Sequence, residues 1–350
     1  MSTFSAPVEV RIEALKSAAA DLLSAPVTAL EEVGGGRNSR VYRLRVDSQT
    51  SYALKAYFRH AVENRARMET EISSLEFLWN QGVRNIPRPV ASSAEHGFAI
   101  YGWIEGRKIA AAEVSARSIE AAVDFLRRVA ELAGQPGSKQ LGPASEACFS
   151  GRAIVENLER RLQALRSGAE SAELESFLTS LLLPSLDRIR DWSRRCLRED
   201  FDRELELPFR TLSPSDFGFH NAIETEAREI FFLDFEYFGW DDPAKTVCDF
   251  ILHPGMAISP VLQRQFASSL VGGLPWSSGL PERVQAYYPL FGLKWCLILL
   301  NEFSPDQLLR RHFAGLLERD RPRRQMEQLA KARSMLERTL SEYEHFPYLD

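Results

Sequence analysis

Hydrophobic and polar positions follow two different periods along this chain, and the change from one to the other divides it. Residues 8–23 carry apolar side chains at helical spacing, and the pattern stops just before Pro26. Over residues 42–46 apolar side chains alternate with arginines, which is the period of a half-buried strand. Residues 51–57 are predicted as the neighbouring strand, after a polar turn at 47–50.

The chain then becomes progressively more helical. A helix is predicted over residues 61–81, ending at Gly82, and two short strands are predicted at 90–92 and 98–101. Beyond Gly106 one β-rich segment, 209–235, interrupts a series of amphipathic runs. Those runs predict helices over 113–134, 152–167, 171–198, 281–302 and 304–345.

This order of elements predicts an α+β, bilobal fold. Residues 1–104 are expected to form a small N-lobe with an antiparallel sheet and a helix. Residues 105–350 are expected to form a larger, mostly helical C-lobe. No linker rich in proline, glycine or serine separates the two, so we expect them to share one cleft.

Composition narrows the function classes. The 350 residues carry a formal net charge of -5, and no basic stripe argues for nucleic-acid binding. Four cysteines are scattered without a CxxC pair or zinc-like spacing, which favours free thiols in a reducing compartment. The N-terminus lacks an apolar signal core and no run is long enough to span a membrane. A cytoplasmic protein is therefore expected, and its oligomeric state is left open.

The strongest chemical pattern lies in the β-rich segment. Asp216 is followed five residues later by Asn221, and Asp234 ends the apolar strand after a predicted hairpin turn. In kinases an Asp in the first position orients or deprotonates the acceptor hydroxyl, while the Asn and the second Asp bind Mg²⁺. Hard oxygen ligands suit Mg²⁺, and a carboxylate can accept a proton from an alcohol. The Asp–Asn spacing and the strand-end Asp each occur often by chance, so the prediction depends on their order and spacing together.

Upstream residues fit the same interpretation. A glycine-rich turn lies between two predicted strands, and its backbone N–H groups are placed to cover nucleotide phosphates. Lys55 follows on the next strand, sharing a face with the small Ala53, which leaves room for a nucleotide base. The predicted phosphate-contacting residues of the turn are Gly35, Gly36, Asn38 and Ser39.

The strand lysine requires a carboxylate partner from the helix that follows. Glu63, Glu69, Glu71 and Glu76 are the candidates in residues 61–81. Glu71 lies beside the apolar stripe of this helix, four residues before Leu75, so it is the predicted partner, with Glu69 as the fallback.

These segments together resemble the aminoglycoside phosphotransferase and choline kinase superfamily. Residues 212–221 are similar to its HGDLHPGN loop, and 230–243 are similar to its IDWEYAGxGDP segment. Residues 86–90 and 99–106 resemble its strand-four entry and its hinge. The resemblance covers roughly residues 28–303 and implies a protein-kinase-like fold, ATP or another NTP, Mg²⁺ and a small-molecule hydroxyl acceptor. It also implies that the hinge backbone near Tyr101 and Trp103 contacts the adenine.

The chain departs from the family pattern around the catalytic position. Pro214 and Ser215 replace the usual His and Gly, and Gly218 replaces a later His. His220 is available to brace the loop, although packing is the simpler role. Two further interpretations stay open: Asp249 either ties down the loop or is a surface helix residue, and Tyr288, Trp295 and Phe303 either border the acceptor pocket or form core, which is favoured.

The function predicted from the sequence is transfer of the γ-phosphoryl group to an amino-alcohol, aminoglycoside-like or sugar hydroxyl. Glu236, Asp241 and Asp242 either favour a cationic acceptor or serve the loop structurally. The alternative is a non-catalytic or weakly active pseudokinase-like nucleotide-binding protein, supported by the altered loop. A protein kinase is disfavoured because no activation segment ending in Ala-Pro-Glu follows Asp234.

Overall fold

The structure, a computed structural model, describes residues 8–35, 39–58, 64–167, 171–274, 279–304 and 320–349. The described chain divides into two compact units. The first comprises residues 8–107 with 223–236, and the second comprises the remaining described residues. An antiparallel sheet with helices forms the first unit and a mostly helical body forms the second, which confirms the predicted fold class.

Five antiparallel strands form the sheet of the first unit in the order β1-β2-β3-β5-β4. The paired strands differ little from the sequence prediction because clear alternation and turn residues mark them. Their bounds are Ala29–Gly35 (β1), Ser39–Arg45 (β2), Ser51–Tyr57 (β3), Pro89–Ser93 (β4) and Phe98–Gly102 (β5); the helices of this unit are Val8–Leu23 (α1) and Asn64–Asn80 (α2).

One face of this sheet is buried against α1. Apolar side chains from α1 meet those from β2, β3 and β5, where alternation brings every second residue to the same side. The opposite face of β3 therefore carries Ala53, Lys55 and Tyr57, and Ala53 lies directly opposite Tyr101 of β5. The buried cluster on the α1 side contains Leu15, Ala19, Tyr42, Leu44, Leu54, Ala56, Phe98 and Ile100.

Residues 223–236 group with the first unit, although the sequence division at 104/105 assigned them to the C-lobe. They belong there because strands β6 (Arg107–Lys108), β8 (Ala222–Glu224) and β9 (Ile230–Phe232) form a three-stranded sheet. In addition, the Phe232 amide donates to the Asn85 carbonyl at 3.0 Å. These strands have only two or three residues each, too few for their pairing to be predicted from sequence period.

The second unit is built from helices around a two-stranded ribbon, β7 (Thr211–Ser213) paired with β10 (Gly239–Asp241). Pro243 begins the helix directly after the ribbon, as proline commonly does at the first helical position. The helices are α3 Ala116–Glu131, α4 Gly151–Ser167, α5 Ala172–Phe177, α6 Leu183–Leu197, α7 Pro243–Leu252, α8 Pro260–Gly273, α9 Leu280–Leu299 and α10 Arg321–Glu342.

One sequence prediction for these helices requires revision, and another is tested only in part. The run predicted over 171–198 contains a wider turn at Leu178–Leu182 between α5 and α6, so it is not one regular helix. The helix predicted over 304–345 is described only from Arg321 to Glu342, and most of its first part lies outside the described residues. Helix α8 was not predicted. No described helix combines the length and hydropathy required to cross a bilayer.

Candidate active site

Lys55 lies at the centre of a charged cluster in the first unit. It is 7% exposed, and β3 directs it away from the α1 core. Its Nζ donates to Glu71 Oε2 and to Asp234 Oδ1, at 2.6 Å in both cases. Burial alone would lower the pKa of Lys55, but the facing carboxylates outweigh it and hold that pKa well above its ordinary value. The lysine is therefore a fixed positive charge.

Glu71 is the partner that α2 supplies, whereas Glu69 is exposed on the same helix. Its Oε2 also accepts from the Tyr57 hydroxyl at 2.6 Å, and its Oε1 accepts from the backbone N–H of Phe235 at 3.2 Å. Burial raises the pKa of this carboxyl, while Lys55 opposes the rise. One carboxylate therefore receives donors from β3 and from the segment that carries Asp234.

Sequence reasoning assigned no role to Tyr57, although its position two residues after Lys55 places it on the same strand face. Its hydroxyl lies 2.9 Å from the Tyr101 hydroxyl. Burial raises the pKa of both phenols well above the ordinary value, so both remain protonated. The Tyr101 side chain thus joins the Lys55 cluster, while Ala53 lies opposite it in the sheet.

Three of the other predicted nucleotide-contacting residues, Gly35, Ser39 and Trp103, lie at or next to the ends of strands in the same sheet. Gly35 ends β1 and Ser39 begins β2, where it is 6% exposed and pairs with Tyr57. Trp103 follows β5 and stacks on the Arg43 guanidinium, 4.6 Å from the ring centroid. Gly36 and Asn38 lie outside the described residues.

Asp234 follows β9 in the left-handed backbone region, with φ of 66°. Aspartate tolerates this conformation better than most residues. Its side chain is 35% exposed, whereas that of Glu236 is 3% exposed and lies 3.6 Å from both Lys55 and Arg67. The turn therefore presents one carboxylate outward and buries the other among cations.

The Asp216 loop belongs to the second unit. Asp216 Oδ1 accepts a hydrogen bond from His220 Nε2 at 3.1 Å, and His253 Nε2 lies 3.5 Å from the same oxygen. Burial would raise the pKa of Asp216, but these two imidazoles outweigh it and hold that pKa well below its ordinary value. The carboxylate is therefore ionised at neutral pH. The Asn221 side-chain amide donates to the Asp216 carbonyl at 3.1 Å, which closes the loop.

The two altered positions that precede Asp216 have distinct structural consequences. Ser215 adopts φ of 66°, a conformation that favours glycine. Its hydroxyl donates to the Ser145 carbonyl at 3.2 Å and accepts from Lys245 Nζ at 2.8 Å. A strained residue is therefore anchored through a side chain that glycine would lack. Pro214 precedes it, and the Pro214 carbonyl accepts from the Asp216 amide.

Asp241 and Asp242 are structural. Asp241 is 0% exposed and pairs with Lys245 at 2.7 Å, while Asp242 caps α7 and pairs with Arg283 at 3.2 Å. Burial raises the pKa of both carboxyls, and their cationic partners oppose that rise. Between the two alternatives for these acids, the geometry favours the loop-structural one.

Asp249 is also engaged within the second unit. It lies 3.3 Å from Lys245 Nζ, and its other oxygen accepts from the Trp295 indole at 2.9 Å. It is therefore not a free surface residue, and it supports Lys245, which in turn holds Ser215. Tyr288, Trp295 and Phe303 are buried, in agreement with the favoured core interpretation.

The structure thus gathers the predicted residues in two groups, one in each unit. Lys55, Glu71 and Asp234 come together in the first, and Asp216 with Asn221 in the second. Asp234 offers carboxylate oxygens and Asn221 offers an amide oxygen, and both are hard donors of the type that Mg²⁺ prefers. Sequence reasoning missed Tyr57 and His253. The strand period of residues 53–57 could have indicated Tyr57, whereas no local pattern pointed to His253.

Comparisons with known proteins agree with this arrangement. A family model described as "Phosphotransferase enzyme family" matches residues 29–267. No curated protein matches the sequence.

Solved structures share the fold at low sequence identity. A spectinomycin phosphotransferase crystallised with ADP and spectinomycin has a TM-score of 0.62 at 13% identity, over 94% of this chain and 98% of that one. The choline kinase LicA from Streptococcus pneumoniae gives 0.60 at 15%, over 93% and 99%. An ethanolamine kinase from Plasmodium vivax gives 0.59 at 15%, over 96% and 97%. These similarities show the fold, and the family match includes both the Lys55 cluster and the Asp216 loop. The chain therefore belongs to the phosphotransferase enzyme family.

Proposed function

We propose that this protein is a small-molecule kinase that transfers the γ-phosphoryl group of ATP, or of another NTP, to a hydroxyl group. The observation that carries the proposal is the buried Lys55, held by Glu71 and Asp234 at 2.6 Å each. A structural lysine needs only one counter-ion. Here one of the two carboxylates, that of Asp234, is 35% exposed and belongs to a residue with left-handed backbone, as a ligand-binding group often does.

Each residue of the first unit has a role in this proposal. Lys55 binds the α- and β-phosphates, and Glu71 keeps the ammonium group in place. The small Ala53 leaves room for the base, and the backbone from Tyr101 to Trp103 hydrogen-bonds to it. Gly35 and Ser39 stand where the glycine-rich turn begins and ends, and their backbone amides contact the phosphates.

Asn221 and Asp234 are the proposed ligands of Mg²⁺, which neutralises phosphate charge when bound. Asp216 accepts a hydrogen bond from the acceptor hydroxyl and orients its oxygen towards the γ-phosphorus. The ionised state of Asp216 supports this role, because only the carboxylate form can accept the hydroxyl proton. Positioning and electrostatics then supply most of the rate.

The acceptor class is proposed as an amino-alcohol, an aminoglycoside-like compound or a sugar. Spectinomycin, choline and ethanolamine are named for the similar solved structures, and all carry hydroxyl groups. Asp241 and Asp242 are buried and paired with cations, so they give no electrostatic support for a cationic acceptor. Neutral sugars are therefore tested as acceptors alongside the cationic compounds.

The test begins with a thermal-shift screen of choline, ethanolamine, spectinomycin and neutral sugars, each with and without Mg-ATP. Compounds that stabilise the protein are then assayed for ADP formation. Asp216→Ala is expected to lower kcat by about 10²–10⁴-fold, and Asp234→Ala to abolish Mg²⁺-dependent nucleotide binding. Asp124→Ala, at an exposed position on α3, serves as the matched control. Full ATP-dependent phosphorylation by either site variant contradicts the assignment.

The alternative, a pseudokinase-like binding protein, is favoured by one observation: Pro214 and Ser215 precede Asp216. Against it, the Ser215 hydroxyl is anchored by two partners, so the altered loop remains ordered. Magnesium-dependent ATP binding without turnover of any compound in the panel would support the alternative.

A further inference from the structure

Two histidine rings stack face to face beside Asp216. The ring centroids of His220 and His253 are 3.8 Å apart, and the planes differ by 6°. Both rings direct Nε2 towards the same carboxylate oxygen, Oδ1, at 3.1 and 3.5 Å. No described residue hydrogen-bonds to Oδ2, and the Asp216 side chain is 35% exposed. The two oxygens of one carboxylate therefore have separate surroundings.

The protonation of His253 follows from its neighbours. His253 precedes Pro254, which disfavours helical backbone and ends α7 at Leu252. The chain then turns so that the Gly255 amide donates to His253 Nδ1 at 3.1 Å. Because Nδ1 accepts this bond, the ring proton is on Nε2, which faces Asp216.

The ring of His253 also contacts an aromatic side chain of α9. It packs edge-on against Trp295, with centroids 4.7 Å apart, and the Trp295 indole donates to Asp249. The charged and titratable groups around His253 are Asp216, His220 and Asp249. Burial lowers the pKa of His253, which agrees with a neutral Nε2–H donor.

A metal ion does not explain this arrangement. Asp216, His220 and His253 place possible ligand atoms within 4.8 Å of one another. However, the Gly255 amide donates to His253 Nδ1, so the ring proton lies on Nε2, the nitrogen that would have to bind the ion.

We propose that His220 and His253 form a two-imidazole clamp that fixes Asp216 through Oδ1 and leaves Oδ2 for the acceptor hydroxyl. This rests on the proposed function, since it assigns positioning residues to the same reaction. His253 acts through Asp216 and does not contact the substrate. It lies 37 residues beyond Asp216, past a hairpin and a helix, so no local motif links the two.

Three variants separate positioning from packing. His253→Phe keeps an aromatic ring but removes the donor. The contact between His253 Nε2 and Asp216 Oδ1 is long, at 3.5 Å, so its loss should lower kcat by about threefold to tenfold with KM for ATP unchanged. His253→Gln offers an amide donor in place of Nε2 and should retain kcat within about twofold of wild type. His345→Gln, at an exposed histidine, is the matched control. ADP formation with Mg-ATP and the best acceptor of the panel, or water alone, is the measured rate.

The decisive step repeats His253→Phe in an Asp216→Asn background. A clamp that acts through the carboxylate loses its effect there, whereas a packing role produces the same fold-loss in both backgrounds. Equal losses in the two backgrounds, or wild-type kcat in His253→Phe, overturn the proposal.

Long-range ¹H–¹⁵N spectra of the histidine rings provide a readout that requires no turnover. His253 is expected to carry its proton on Nε2 at neutral pH, and a proton on Nδ1 would refute the clamp. If wild-type protein forms no ADP under any condition, the proposed function fails, while these spectra still decide whether the clamp exists.

Discussion

Replacing Lys245 by methionine removes a cation that the second unit has buried almost completely. Lys245 is 2% exposed and donates to Asp241 at 2.7 Å and to Ser215 at 2.8 Å. Burial would lower its pKa, but Asp241 and Asp249 outweigh that effect and raise it, so the native protein contains the charged form. Lys245→Met keeps most of the side-chain volume while leaving Asp241 without its counter-ion.

The magnitude follows from the contacts that disappear. A charge-assisted hydrogen bond contributes about 1.5–3 kcal/mol, and Lys245 makes two. Breaking a buried ion pair from one side typically costs about 3–5 kcal/mol, which agrees with this sum. For a domain of 150–250 residues, that loss lowers Tm by roughly 6–20 °C.

Urea and thermal unfolding, followed by circular dichroism, measure the effect. The control is Lys331→Met on α10, an exposed lysine for which a change below about 0.5 kcal/mol is expected. Adding Asp241→Asn to Lys245→Met removes the unpaired charge and should recover part of the lost stability. Burial already raises the pKa of Asp241, so falling pH protonates it and should shrink the deficit of the single variant.

Two outcomes would refute this reasoning. One is a loss below about 1 kcal/mol in Lys245→Met, which would mean that the pair contributes no more than an exposed one. The other is full additivity, in which Asp241→Asn lowers the free energy of unfolding as much in the Lys245→Met background as in the wild type. Substitutions at independent sites have additive effects, whereas those at paired sites do not.

The remaining predictions concern both units. Tyr57→Phe removes a donor from Glu71 and should raise KM for Mg-ATP about threefold to tenfold in steady-state assays, with unchanged KM as the contrary result. Burial alone would raise the pKa of Glu146, but Lys294 helps to outweigh burial and the pKa is lowered to about 2. The ionised Glu146 therefore stabilises the fold above about pH 4.5, and this contribution is lost as the pH falls towards 2. Glu146→Gln should therefore be less stable than wild type at pH 7, with equal stabilities near pH 2, and a constant deficit would contradict this. Iodoacetamide should modify Cys196 alone in the native protein, since the other three cysteines are buried, and mass spectrometry of the peptides detects any further site.

The sequence indicated the Lys55 cluster well because strand alternation and helix periodicity are local signals. Residues 53 and 55 share a face by the period of two, and Glu71 lies beside the apolar stripe of α2. The same signals gave α1 its bounds. Glycine-rich turn residues 36 and 38 remain predictions, because they lie outside the described residues.

The surroundings of Asp216 depend on contacts between segments far apart in sequence. His253 reaches the carboxylate only because α7 ends at Leu252, and Trp295 packs against its ring from α9. Likewise, Asp241 ends β10 and Lys245 lies four residues later on α7, and the sequence does not reveal that both are buried. The sequence left open whether the acids of that segment favour a cationic acceptor or serve the loop structurally, because burial and pairing are tertiary properties.

Glu71 accepts three hydrogen bonds, and through them it connects helix α2 to two other segments of the first unit. Its two oxygens receive Lys55, Tyr57 and the Phe235 amide, the residue directly after Asp234. A displacement of α2 by a few ångströms would release the lysine, the tyrosine and the turn that carries Asp234 at the same moment. A molecule that displaced this helix would therefore displace Lys55 and the proposed metal ligand Asp234 together, without contacting either residue.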